Sequence, residues 1–213
     1  MIQFMKNLQF YCLWAIITFG SLACHAQQPA DQKVGGGCEG CEAIYEYGDK
    51  KLIPVDTLPL FSTSKPKLKI TGTVYQKDGK TPAGDVILYI YHTDRTGIYS
   101  KKGDEKGWAR RHGFIRGWVK TDINGHYTFY TFRPAAYPDG TEPEHIHLTI
   151  KEAGKTAYYL DEFVFEDDPI LTQEKRKLLI DRGGSGIGSL KLENTIPTFR
   201  RDIILGLNIP DYE

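Results

Sequence analysis

Apolar and polar residues alternate at every second position in a series of short stretches, each closed by a turn signal, and no other feature of the chain restricts its fold as much. Leu68-Lys69-Ile70-Thr71-Gly72-Thr73-Val74 alternates and is followed by Asp78-Gly79. Asp85 to His92 carries Val86, Leu88 and Ile90 on one face, and Gly113 to Lys120 resumes a strand. Asp122-Ile123-Asn124-Gly125 makes a turn before Tyr127 and Phe129, and Ala157 to Phe165 and Thr198 to Leu205 complete the series. Successive side chains on a strand point to opposite faces, so each stretch offers one apolar face to a core. Many short strands with turns between them predict an all-β fold, an antiparallel β-sandwich with long loops. One helix is expected, Thr172 to Asp181, with Thr172 as its cap and Gly183-Gly184 beyond its end. Gly97 interrupts the alternation, and a polar excursion runs from Tyr99 to about Arg111; a loop of that length is more often functional than idle.

The N-terminus points to the compartment. Lys6 precedes an apolar run through Phe10, Leu13, Trp14, Ile16, Ile17 and Phe19, which ends in small residues at Ser21, Ala23 and Ala26. This is a secretory signal over residues 1–26, too short for a comfortable membrane span. Two processing routes stand: cleavage after Ala26, or lipidation of Cys24 within Ser21-Leu22-Ala23-Cys24. Either places the mature chain outside the cytoplasm, as a periplasmic or secreted protein or an outer-membrane lipoprotein, with the lipid as its only membrane attachment. In that oxidising setting Cys38 and Cys41 are expected to form a local disulfide, because no second pair exists to complete four zinc ligands. Residues 27–66 read as an arm, and 67–213 as the domain. Lys plus Arg and Asp plus Glu both number 27, so no net field attracts nucleic acid or an anionic membrane surface.

The chemistry concentrates between Tyr137 and His147. If Glu144 to Ile150 is extended, His145, His147 and Thr149 share one face while Ile146, Leu148 and Ile150 share the other. Two imidazoles side by side, away from the apolar face, suit a metal. A phenol beside them changes which metal: a phenolate is a hard anionic donor whose ordinary pKa of about 10 must be pulled down by a strong Lewis acid. Ferric iron does this better than Zn(II) or Cu(II), and two tyrosinates with two histidines would cancel two of its three charges.

Several pieces, in order and spacing, resemble the intradiol ring-cleavage dioxygenases, the family of protocatechuate 3,4-dioxygenase and catechol 1,2-dioxygenase. They are Gly97-Ile98-Tyr99-Ser100, Arg116-Gly117, Thr121 to Tyr127, Thr131-Phe132-Arg133-Pro134-Ala135-Ala136-Tyr137-Pro138 and His145-Ile146-His147. The resemblance implies a non-haem Fe(III) held by Tyr99, Tyr137, His145 and His147. It also implies a catechol-type substrate that displaces Tyr137 and hands it a proton, and a ring opened by O2 between the two hydroxylated carbons to give a muconate. The missing helical N-terminal region favours the shorter protocatechuate-type body over the catechol 1,2-dioxygenase dimer.

The chain departs from the family beside the ring. Glu142 stands where the catechol-cleaving enzymes carry an arginine, and a family glutamine falls near Asp161 or Glu162. Two acids there would repel a catecholate unless turned away or paired. Positive charge could instead come from Arg110, Arg111, Arg116 or Arg133, with Arg116 preferred because it lies in the Arg-Gly piece. The expected catalytic residues are therefore Tyr137, Arg116 and Glu142, and carboxylated catechols are expected to be poor substrates. Two other readings stand beside this one: an iron-binding relative altered in turnover by Glu142, and a metal-free transthyretin-like binding module suggested by Ile70 to Val74 with Thr121 to Tyr127.

Overall fold

The computed structural model describes residues 30–213; the signal segment, Cys12 and Cys24 lie outside the described residues. In chain order the strands are β1 (Val55–Thr57), β2 (Lys67–Tyr75), β3 (Ile87–Tyr91), β4 (Arg116–Lys120), β5 (His126–Phe132), β6 (His145–Lys151), β7 (Tyr158–Phe165), β8 (Ile187–Gly188), β9 (Leu190–Glu193), β10 (Ile196–Arg200) and β11 (Ile203–Ile204). Two short helices, α1 (Ala109–His112) and α2 (Gln173–Leu178), and a turn of 3-10 helix at Cys41–Tyr45 complete the described elements.

One sheet runs β1-β5-β2-β10-β9, with β11 also on β2, and the other runs β4-β3-β6-β7-β8. The alternation in β2 is complete, with Leu68, Ile70, Gly72 and Val74 buried and the residues between them half-buried. Leu68, Ile70, Tyr127 and Phe129 from the first sheet meet Leu88, Ile90, Ile146, Leu148, Ile150 and Phe163 from the second in one core. The turn at Asp122–Gly125 carries the chain from one sheet to the other, since β4 and β5 lie in different layers. The fold is thus the expected all-β sandwich.

Its pairing is less uniform than expected. The central pairs β2–β5, β3–β4, β3–β6 and β6–β7 are antiparallel, but β1–β5, β10–β2, β11–β2 and β7–β8 are parallel. Parallel neighbours arise where a segment arrives by a long connection rather than a hairpin, as β1 and the C-terminal strands do. The predicted closing strand from Thr198 to Leu205 is broken at Arg201–Asp202 into β10 and β11. Gly72 makes room there: a Cβ on it would stand 1.8 Å from the Arg201 carbonyl oxygen. The helix after Thr172 is shorter than expected, ending at Leu178, and Thr172 Oγ1 accepts from the Lys175 backbone N–H at 3.4 Å.

The arm is built into the domain rather than draped on it. Its β1 extends the first sheet, and its 3-10 turn seats Ala43 and Ile44 against Tyr89 and Trp118 on the outer face of the second. Trp118 Nε1 donates to the Ala43 carbonyl at 3.2 Å, and Cys38 and Cys41 are disulfide-bonded.

Candidate metal centre

The two histidines leave the outer face of β6, while Ile146, Leu148 and Ile150 enter the core. His145 Nδ1 lies 2.7 Å from the Pro143 carbonyl, and His147 Nδ1 lies 3.4 Å from Glu162 Oε1. Each contact occupies the nitrogen nearer the backbone and leaves Nε2 to the site, the usual arrangement around a metal-bound imidazole. Glu162 reaches His147 because of a bulge. Ile146 pairs with Phe163 and Leu148 with Leu160, so both Asp161 and Glu162 oppose His147. Bulges of this kind re-aim a side chain: Glu162 faces the site, whereas Asp161 is buried near the Arg201 charge. Burial raises the Glu162 carboxyl, but the bond to His147 and its charge outweigh this and hold it below the usual carboxylate range. Burial, and then the neighbouring His147, lowers His145, which keeps its lone pair free.

The two phenols arrive on loops that are stitched together. Asp94 folds the loop before Tyr99 by accepting from Thr96 N at 2.7 Å, Ile98 N at 3.2 Å and the Ser100 hydroxyl. Thr93 Oγ1 donates to the Ala135 carbonyl at 2.7 Å, and Arg95 Nη1 donates to the Pro134 carbonyl at 2.6 Å. Gly97 allows the closest approach: its φ is +80°, and a Cβ would stand 2.1 Å from the Ala136 carbonyl oxygen. As a result Tyr99 Oη lies 2.7 Å from Tyr137 Oη and 2.7 Å from His147 Nε2. His145 Nε2 closes the ring, 3.2 Å from Tyr137 Oη and 3.2 Å from His147 Nε2.

This ring has the size of a coordination site. Two donor atoms each about 2.0–2.1 Å from one ion can stand at most roughly 4.2 Å apart, and the four edges run from 2.7 to 3.2 Å. Among the described residues no group of three or more His, Cys, Asp or Glu could hold a metal, so the phenols are needed to complete a donor set. Burial raises both Tyr99 and Tyr137, so neither ionises unaided near neutrality. The set therefore fits a strongly acidic, oxygen-seeking trivalent ion better than a soft divalent one.

Among the other residues anticipated from sequence, Glu142 lines a cavity of about 390 Å³ together with Tyr137, His145, His147 and Glu162. Its carboxylate stands 3.7 Å from Lys175 Nζ. Arg116 is not brought to the ring: its guanidinium donates to Glu46 Oε2 at 2.6 Å and lies over Trp118. The reason is its place on β4, a strand removed from β6, where the arm supplies a carboxylate. Arg133 is likewise engaged, bidentate with Asp167 at 2.8 and 2.9 Å and bonded to Glu144. Arg110 and Arg111 border the space outside Tyr99 and Tyr137, with Arg111 paired to Glu39 of the arm.

Sequence reasoning missed an aromatic column behind the ring. Tyr91 stacks on His147 at 4.4 Å and on His112 at 3.8 Å, and Tyr89 Oη lies 2.9 Å from His112 Nδ1. Tyr89 and Tyr91 share the face of β3 opposite Leu88 and Ile90, a signal that period-two alternation carries. His112, on the one-turn α1, has no such signal.

The family model described as Dioxygenase matches residues 62–181, more than half of the chain. This chain belongs to the intradiol ring-cleavage dioxygenase family. It is similar to the protocatechuate 3,4-dioxygenase beta chain of Burkholderia cepacia, 27% identical over 140 residues, covering 60% of this chain and 59% of that one. It is also similar to catechol 1,2-dioxygenase 1 of Acinetobacter lwoffii, 30% identical over 146 residues, 57% of this chain and 46% of that one. The chain thus spans about three fifths or less of the length of these two curated relatives. Among solved structures it shares a fold with the dioxygenase domain of a dioxygenase and carbohydrate-binding protein fusion from the cellulolytic bacterium Streptomyces sp. SirexAA-E. That match has a TM-score of 0.54 at 22% identity and covers 79% of this chain and 95% of that one.

Proposed function

We propose that the chain is an extracytoplasmic non-haem Fe(III) dioxygenase that opens a catechol-type ring between its two hydroxylated carbons, giving a muconate-type product. The carrying observation is the closed ring of two phenol oxygens and two imidazole nitrogens at 2.7–3.2 Å. The location rests on the secretory signal at residues 1–26, with lipidation at Cys24 as the one route to a membrane.

Tyr99, Tyr137, His145 and His147 would hold the iron, which supplies a Lewis acid for phenolate and catecholate oxygens and draws electron density from the bound ring. The protein's part is charge, proton and position. Tyr137 stands on the cavity side of the ring beside Glu142, where its phenolate oxygen accepts a proton from an entering catechol hydroxyl. Glu162, 3.4 Å from His147 Nδ1, favours the tautomer that presents Nε2, and the Pro143 carbonyl, accepting from His145 Nδ1–H, does the same for His145. The half-buried phenols would add two negative charges once ionised, leaving one of the three ferric charges uncancelled before the substrate enters. Catechol plus O2 gives the diacid with no atom left over, so no external reductant is needed.

Glu142 and Glu162 both face the cavity, so a carboxylate on the substrate ring meets two acids, and Lys175 is already taken by Glu142. Protocatechuate is therefore expected to turn over far more slowly than catechol. The test is oxygen uptake by the iron-loaded chain with catechol under labelled O2. One O2 consumed per catechol, with two labelled oxygens in a muconate, supports the reading; no uptake with any o-diphenol, or opening beside rather than between the hydroxyls, sinks it.

A further inference from the structure

The cavity at the ring of donors is lined in part by hydrocarbon: the buried Val164 and Leu171, and Leu178 and Leu179 at and just beyond the end of α2. Leu178 is 77% exposed, and no residue of α2 is buried. A six-residue helix is marginal by itself and ordinarily depends on packing an apolar face. Here α2 is tethered through its polar side instead: Thr172 caps it, Lys175 bonds the Thr141 carbonyl, and Arg176 Nη2 donates to the Glu166 carbonyl at 3.1 Å. Those tethers hold Leu178 at the cavity with most of its surface in solvent, and the half-buried Leu179 lines the cavity beside it. At about 390 Å³ the space falls in the range of sites for drug-sized ligands, about 300–1,000 Å³, and exceeds what a single aromatic ring fills. Its one lysine or arginine, Lys175, is paired with Glu142, so no free side-chain cation is left for an anionic substituent.

We infer that the preferred substrate, for the dioxygenase reading on which this rests, is an o-diphenol carrying an uncharged hydrocarbon substituent that lies between α2 and the start of β6. Each methylene buried there contributes roughly a fourfold gain in affinity when fully covered, and the groove is open on one side.

Dissociation constants for catechol and 4-hexylcatechol are to be measured anaerobically on the iron-loaded full chain, by calorimetry and by the shift of the phenolate-to-iron band, so that turnover plays no part. The expected result is about tenfold tighter binding of the hexyl compound. Leu178→Ser is expected to bring the ratio of the two constants to within about twofold. Leu192→Ser, which alters an exposed leucine on β9 away from the cavity, is expected to keep it. Equal binding of the two catechols, or a ratio indifferent to Leu178→Ser, overturns the inference while leaving the dioxygenase reading in place. A protein with no phenolate band that binds neither catechol overturns both.

Discussion

Gly97 and Glu162 are the residues on which the ring of donors most depends without belonging to it. At Gly97 the backbone is left-handed and any side chain meets the Ala136 carbonyl, so Gly97→Ala forces apart the loops that carry Tyr99 and Tyr137. Unfavourable φ and a backbone clash together are expected to cost about 2–4 kcal/mol, read as a lower urea midpoint, with a weakened phenolate band in whatever remains folded. Glu162→Gln removes the carboxylate behind His147 but keeps its shape. Iron affinity is expected to fall by about 10–100-fold, measured by competition with a chelator, with a smaller drop in the unfolding midpoint, because 35% of the side chain remains in solvent.

At the scale of elements, the outer face of the second sheet acts as the platform, and its attachment to the loops sets the geometry. Arg133, at the end of β5, binds Glu144 at the start of β6 and Asp167 after β7, and covers Phe165 at 4.4 Å. Arg133→Ala breaks these bonds at once and leaves the Glu144 carboxylate, among the described residues, with only the distant Arg95 at 3.8 Å. A loss of about 2–3 kcal/mol is expected, again by urea unfolding. This is also where legibility in the sequence ran out. Strands β2, β3, β5 and β6 were readable because apolar residues recur at every second position, and His145 and His147 because they interrupt that pattern on one face only. The bulge that selects Glu162 over Asp161 was not readable, since one extra residue in β7 shifts the register without changing its composition. Nor was Arg116 readable as a partner of Glu46: that pair joins residues 70 apart in the chain, and only the folded arm brings them together.

For the whole molecule, the site lies outside the sandwich core, beneath the arm and the Tyr99–Arg111 excursion, so stability and chemistry are partly separable. His92 tests this separation. It is fully buried beneath the site, with Nδ1 2.7 Å from the Thr93 carbonyl and Nε2 2.7 Å from Thr131 Oγ1. Burial lowers its pKa to about 4, against the partial restraint of the Thr93 bond. The unfolded chain takes up that proton near the ordinary value of about 6.5. Between these values the unfolded form binds more protons, so stability falls as pH drops from 6.5 towards 4 and levels off below. The loss is about 3 kcal/mol over that window. Urea midpoints across pH 4–7 are expected to show this slope, and His92→Gln is expected to flatten it by about one proton's worth whatever its own stability.

The central claim is that four side chains from two loops and one strand hold ferric iron through two phenolates. It is tested most directly by the visible spectrum and iron content of the mature chain purified from iron-replete culture. Near-stoichiometric iron and a coloured protein are expected, with the band shifted or lost in both Tyr99→Phe and Tyr137→Phe. A colourless, iron-free wild type, or a band that neither substitution changes, would contradict it.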